Sequence, residues 1–231
     1  MANIFKALSL LLTYPTEDLR QAAGAIGEVI ANEKGLPARQ REQLQTLVDD
    51  LADGDLYDAQ ERYVLLFDRT RSLSLHLFEH VHGESRDRGQ AMIDLKALYE
   101  QKGLDVSSTE LPDFIPLFLE FLSTLPRAEA HELLGQPVHI LAALAERLRK
   151  RKSPYEAALR ALVSLAATKP KDEELAAVLN EPDTEPTDLA ALDAAWEDEP
   201  VSFGPDAANG CKDTLISRLR AARRPAPGLP S

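Results

Sequence analysis

Phe114-Ile115-Pro116-Leu117-Phe118-Leu119-Glu120-Phe121-Leu122-Ser123-Thr124-Leu125 is the most apolar and aromatic run in the chain. Phe114, Leu117, Phe118, Phe121, Leu122 and Leu125 recur at three- and four-residue intervals, the stripe of an amphipathic helix. Pro116 fits only if this helix starts close by, because first-turn amides have no intrahelical acceptor and proline loses nothing there. Asp113 is then the expected N-cap.

The same period extends in both directions. Toward the start it recurs in Ile4 to Leu12, Leu19 to Ile30, Leu44 to Leu51, Tyr63 to Phe67 and Met92 to Tyr99. Toward the end it recurs in Val138 to Leu148 and Tyr155 to Ala166. Gly35-Leu36-Pro37, Gly54, Gly83, Gly103, Gly135 and Pro137 fall between these stripes, where helices stop and start. Period-2 runs are absent and β-branched residues are scattered, so no strand is expected. The fold class is all-α: one globular multi-helix domain of about nine to ten short helices over residues 1–180. Residues 181–231 form an acidic, proline-rich tail with short helical pieces at most.

A chain of 231 residues can build one sizeable core. The net charge of −12 lies in one place. Asp172 to Asp206 holds twelve acids and no Lys or Arg, and the remainder balances at 26 of each sign. The acidic excess argues against nucleic acid, whose phosphates need clustered positive charge. The single cysteine, Cys211, excludes an internal disulfide and suits a reducing compartment. The apolar run near the start is far shorter than a membrane-spanning helix and carries a helical period that ends at Thr13-Tyr14-Pro15. A cytoplasmic location is expected. The tail has too few apolar residues to bury much surface, so a chain ending at Asn180 is expected to melt cooperatively within a few degrees of the full chain. Loss of the cooperative transition would place the tail, through Trp196, in the core.

His76-Leu77-Phe78-Glu79-His80 spells H-x-x-E-H. Two histidines four apart share a helix face and can hold a zinc ion, with the glutamate as base, so a zinc hydrolase is the alternative to be weighed. A third ligand cannot be picked out, and some of the neighbouring Leu73, Leu75, Leu77 and Phe78 must serve the core; the expectation is no metal, no cofactor and no reaction. Cys211 has no nearby histidine to activate it, and no glycine-rich phosphate loop or G-x-S-x-G occurs. Arg147 to Lys152 reads as a cationic complement to a helix C-terminus. The polar stretch Glu79 to Gln90 reads either as an interhelix loop or as the rim of a groove.

Leu66-Phe67-Asp68-Arg69, followed by Leu77-Phe78-Glu79-His80-Val81-His82-Gly83-Glu84-Ser85-Arg86-Asp87-Arg88-Gly89-Gln90-Ala91-Met92, resembles the signature of the NarJ-type assembly chaperones of respiratory nitrate reductase. Glu110-Leu111-Pro112-Asp113 with Pro116-Leu117 and Leu119-Glu120 is similar to that family's second motif, and Leu192 to Glu197 with Gly210-Cys211 to its C-terminal region. Phe114 stands where the family usually has histidine, and His76 where an aliphatic residue is expected. The resemblance implies a TorD-like all-helical fold. It implies a partner, the cofactor-free catalytic subunit of nitrate reductase, recognised in part through its N-terminal segment. It further implies that the chain holds this subunit during molybdenum cofactor insertion, delays its docking on the membrane anchor and leaves the mature complex. The insertion machinery is a second expected partner; a helical scaffold role is the blander alternative.

A helix-in-groove binder needs an apolar floor and charged edges. Phe67, Phe78, Phe114 and Phe118 are the expected floor, with Glu79, Glu84, Asp113 and Glu120 facing a basic peptide and His80 in the same set.

Overall fold

The computed structural model describes residues 3–82, 86–104 and 110–180, with the side chains of residues 82–87 left aside. Eleven α-helices occur among the described residues. They are α1 (Asn3–Leu11), α2 (Glu17–Asn32), α3 (Ala38–Asp53), α4 (Leu56–Tyr63), α5 (Glu79–His82), α6 (Arg86–Gln101), α7 (Ile115–Thr124), α8 (Arg127–Leu134), α9 (Val138–Lys150), α10 (Glu156–Leu165) and α11 (Asp172–Leu179). The all-α reading holds. The count exceeds nine or ten because the four-residue α5 and the acid-started α11 lie where the apolar period is short or thin. The expected tail from residue 181, with Trp196 and Cys211, lies outside the described residues.

Local signals fix the helix ends. Thr16 caps α2, its hydroxyl accepting from the Leu19 amide, and Asp55 caps α4 through the Tyr57 and Asp58 amides. Helix α9 closes on Lys152 in the left-handed region (φ 53°), with the Ser153 amide bonded to the Leu148 carbonyl at 3.0 Å.

Helix α1 is central. Its Phe5 and Leu8 are wholly buried, and it packs against α7, α2 and α10. Helices α9 and α10 pack together, as do α2 and α3. The core is continuous from α1 to α11. No described helix is long and apolar enough to cross a membrane.

Candidate functional site

Helix α4 does not stop at Tyr63. It widens into a π-helical turn, Val64–Asp68, marked by the Arg69 amide reaching the Val64 carbonyl at 3.0 Å. Such widened turns occur often at functional sites. A 3₁₀ turn, Arg71–Leu73, follows, and the Thr70 hydroxyl ties it back to the Leu65 carbonyl. The chain then runs alongside Leu111 to Ile115. The Leu77 amide donates to the Asp113 carbonyl (3.0 Å) and the Ile115 amide to the Leu75 carbonyl (2.8 Å). His76 and Phe114 form an antiparallel bridge, with ring centroids 5.3 Å apart and planes tilted by 32°. Two motifs far apart in the sequence are thus one object in space.

Asp113 is the pin. Its side chain is fully buried. One carboxylate oxygen accepts from the Phe78 amide at 3.0 Å, and the other lies 3.2 Å from His76 Nδ1. The Tyr99 hydroxyl donates to the preceding carbonyl, that of Pro112, at 2.7 Å. The expected N-cap role is therefore corrected. Phe114 occupies the cap position of α7, and the Asp113 carboxylate is turned to the other motif instead. Pro116 sits in the first turn of α7, as its chemistry requires.

The zinc arrangement does not form. His76 lies in the extended stretch before α5, which begins at Glu79, so the two histidines do not share a helix face. His80 is buried, and its Nε2–H donates to the Ser74 carbonyl at 2.8 Å. No group of three metal-ligating side chains occurs among the described residues.

The two histidines are tuned in opposite directions. Burial, aided by the Arg147 charge, depresses the His80 pKa to about 4. At His76 burial also disfavours the cation, but the Asp113 hydrogen bond and the Asp113 and Glu79 charges outweigh it and raise the pKa. Between pH 6.5 and 4 the unfolded chain binds a proton at position 80 that the folded chain refuses, so this contribution to stability falls as pH falls. The depression to about 4 removes about 2 kcal/mol between pH 7 and pH 5. His76 contributes the reverse, most at low pH and lost as pH rises through its raised value. Urea unfolding at pH 7 and pH 5 should therefore show a steeper acid loss in the native chain than in His80→Gln; equal slopes would rule out a buried neutral His80.

Comparison with known proteins bears on this junction. Residues 33–161, which contain both motifs, match the family described as nitrate reductase delta subunit. Over 210 residues the chain is 46% identical to the nitrate reductase molybdenum cofactor assembly chaperone NarJ of Escherichia coli strain K12, covering 91% of this chain and 88% of that protein. The chain belongs to the NarJ-type chaperone family. It is also 40% identical over 218 residues to a second Escherichia coli K12 protein, named "Probable nitrate reductase molybdenum cofactor assembly chaperone NarW", with 94% and 91% of the two chains covered. A Bacillus subtilis strain 168 protein named "Probable nitrate reductase molybdenum cofactor assembly chaperone NarJ" is 32% identical over 163 residues, covering 69% and 86%.

Within this NarJ-type fold the expected partner-binding residues separate into two groups. Phe67, Phe78 and Phe118 are core, at 6%, 1% and 3% exposure, so their expected place on an open groove floor is corrected. Phe67 packs edge-on against Tyr155 and tilted against Tyr63. Asp113 and His80 are likewise internal and hold the junction together. Phe114, Glu79 and Glu120 remain partly exposed. Glu79 pairs with Arg88 at 3.2 Å, and Glu120 with Lys6 at 2.6 Å. Glu84 lies outside the described side chains. The surface of the junction is thus His76 and Phe114, with exposed Leu111 beside them, Leu117 one turn along α7, and the acids Asp68, Glu79 and Glu110 nearby in sequence or charge.

Arg147 is the residue that sequence reasoning misplaced. It is not a surface cation at a helix end but is fully buried, donating to the Ser72 carbonyl and the Val178 carbonyl, each at 2.7 Å. It therefore ties the 3₁₀ turn of the NarJ-type junction to α11. Only its apolar neighbours Leu144, Ala145 and Leu148 hinted that this part of α9 turns inward.

Proposed function

We propose that this chain is a system-specific chaperone for respiratory nitrate reductase. It binds the cofactor-free catalytic subunit, including its N-terminal segment, and holds it while the molybdenum cofactor is inserted. It delays docking on the membrane anchor, is absent from the mature enzyme and catalyses no reaction of its own. The relatives' names support the maturation role. The observation that carries the binding mode is the junction pinned by Asp113, which sets the partly exposed Phe114 against His76 with acids around them. An apolar centre with an acidic edge suits an amphipathic basic peptide.

Titration calorimetry with a peptide of the catalytic subunit's N-terminus tests this. Phe114→Ala should weaken binding about tenfold or more at any salt, because an apolar contact is lost. Glu79→Gln should weaken it by less than about tenfold at low salt and hardly at high salt, because exposed charges are screened. Charge variants that abolish binding at high salt, with Phe114→Ala unchanged, would replace this reading with a buried ionic site.

A further inference from the structure

Helix α11 runs alongside α9 in the same direction. Glu174 meets His139 in the first turn of α9 at 3.6 Å, and one turn later Val178 meets Arg147 near the end of α9. The chain therefore leaves α11 at Asn180 near the C-terminal end of α9, on its Arg147 side; Arg149, two residues on, is turned roughly 200° round the helix toward α3 and α10. Beside this end lies a groove of about 460 Å³ between α3, α9 and α10. It is lined by Arg39, Arg149 and Arg160, with Gln40, Gln43 and Glu156. Glu146 and Glu156 pair with Arg149 and Arg160 within their own helices, so the net positive charge comes from Arg39 and from Lys150, Arg151 and Lys152, which follow Arg149 in sequence.

We propose that this basic groove is the docking site of the chain's own acidic segment, Glu181 to Glu199. Charge complementarity and connection both favour this occupant. The segment carries Glu181, Asp183, Glu185, Asp188, Asp193, Glu197, Asp198 and Glu199 with no Lys or Arg. Four of those acids lie within eight residues of Asn180, a reach of at most roughly 26 Å. Tethering gives such a segment an effective concentration on the order of millimolar at a site within reach, so screened contacts too weak for a free ligand can still hold it. The docked segment would occupy the groove in the resting chain and yield it as salt rises, or to a stronger polyanion.

The full chain carries its own probes, a single tryptophan, Trp196, inside the segment, and Lys150 and Lys152, which follow the groove's Arg149 in sequence. Zero-length carbodiimide coupling of the dilute chain at low salt should join Lys150 or Lys152 to acids of Glu181–Glu199 within one molecule. The yield should fall at least about fivefold in 0.5 M salt, where the screening length is only a few ångström. Arg39→Glu, an exposed change that leaves the intrahelical pairs intact, should lower both the coupling yield and the Trp196 fluorescence anisotropy. Coupling to Lys6 or Lys102 as readily as to Lys150 and Lys152 would overturn the proposal. So would links found only between differently isotope-labelled copies, or a Trp196 anisotropy indifferent to both salt and Arg39→Glu.

Discussion

Phe118→Ala is expected to lower the unfolding free energy by about 3–5 kcal/mol, a large part of the 5–15 kcal/mol of a typical domain. Phe118 is 3% exposed, and its helical neighbours Leu119, Phe121 and Leu122 are wholly buried. Truncation there removes a ring from a close-packed interior that can only partly relax. Phe114→Ala should cost about 1.5 kcal/mol or less, because that ring already meets solvent on one side. Urea unfolding of the two variants side by side gives the contrast. Any loss of partner binding in Phe118→Ala then reports a failing core rather than a missing contact. If Phe118→Ala is tolerated to within 1 kcal/mol, the packing of α7 described above is wrong.

Asp113→Ala should destabilise the chain by about 2–4 kcal/mol, because it leaves a buried amide without an acceptor and removes a charge-assisted bond. The amide is that of Phe78, and the second partner lost is His76. Asp113→Asn keeps an acceptor for the Phe78 amide and should cost less. It also removes the charge that helps hold the His76 pKa up, so the His76 titration, followed by NMR, should move down toward its ordinary value. Two stable variants with an unmoved His76 titration would show that Asp113 is not the pin of the junction.

Helical periodicity made most of this fold legible. It reports which face of a helix turns inward but not what lies beyond the helix end. Phe114 and Phe118 share one stripe, yet Phe118 lies within α7 and is covered, whereas Phe114 stands at its cap and reaches the surface beside His76. Asp113 is a residue type that caps helices, and its place before the stripe predicts that role. Its actual partners, thirty-five and thirty-seven residues back, depend on a π turn and a 3₁₀ turn that no periodic signal announces. His76 and Phe114, thirty-eight residues apart in the sequence, are one contact in space. Arg147 carries a cation's sequence signature and a core residue's burial, since a planar guanidinium can satisfy two separate carbonyls in the interior.

Recognition of the immature catalytic subunit of nitrate reductase, and release of the mature one, is the core of the proposed function. Affinity capture on the tagged full chain tests it most directly, comparing cells that make the cofactor-free catalytic subunit with cells that hold only the assembled membrane enzyme. The proposed function predicts recovery of the catalytic subunit from the first and not from the second, with recovery reduced by Phe114→Ala in a chain that still melts cooperatively within a few degrees of the native one. Equal recovery from both, or none from the cofactor-free subunit, would contradict it.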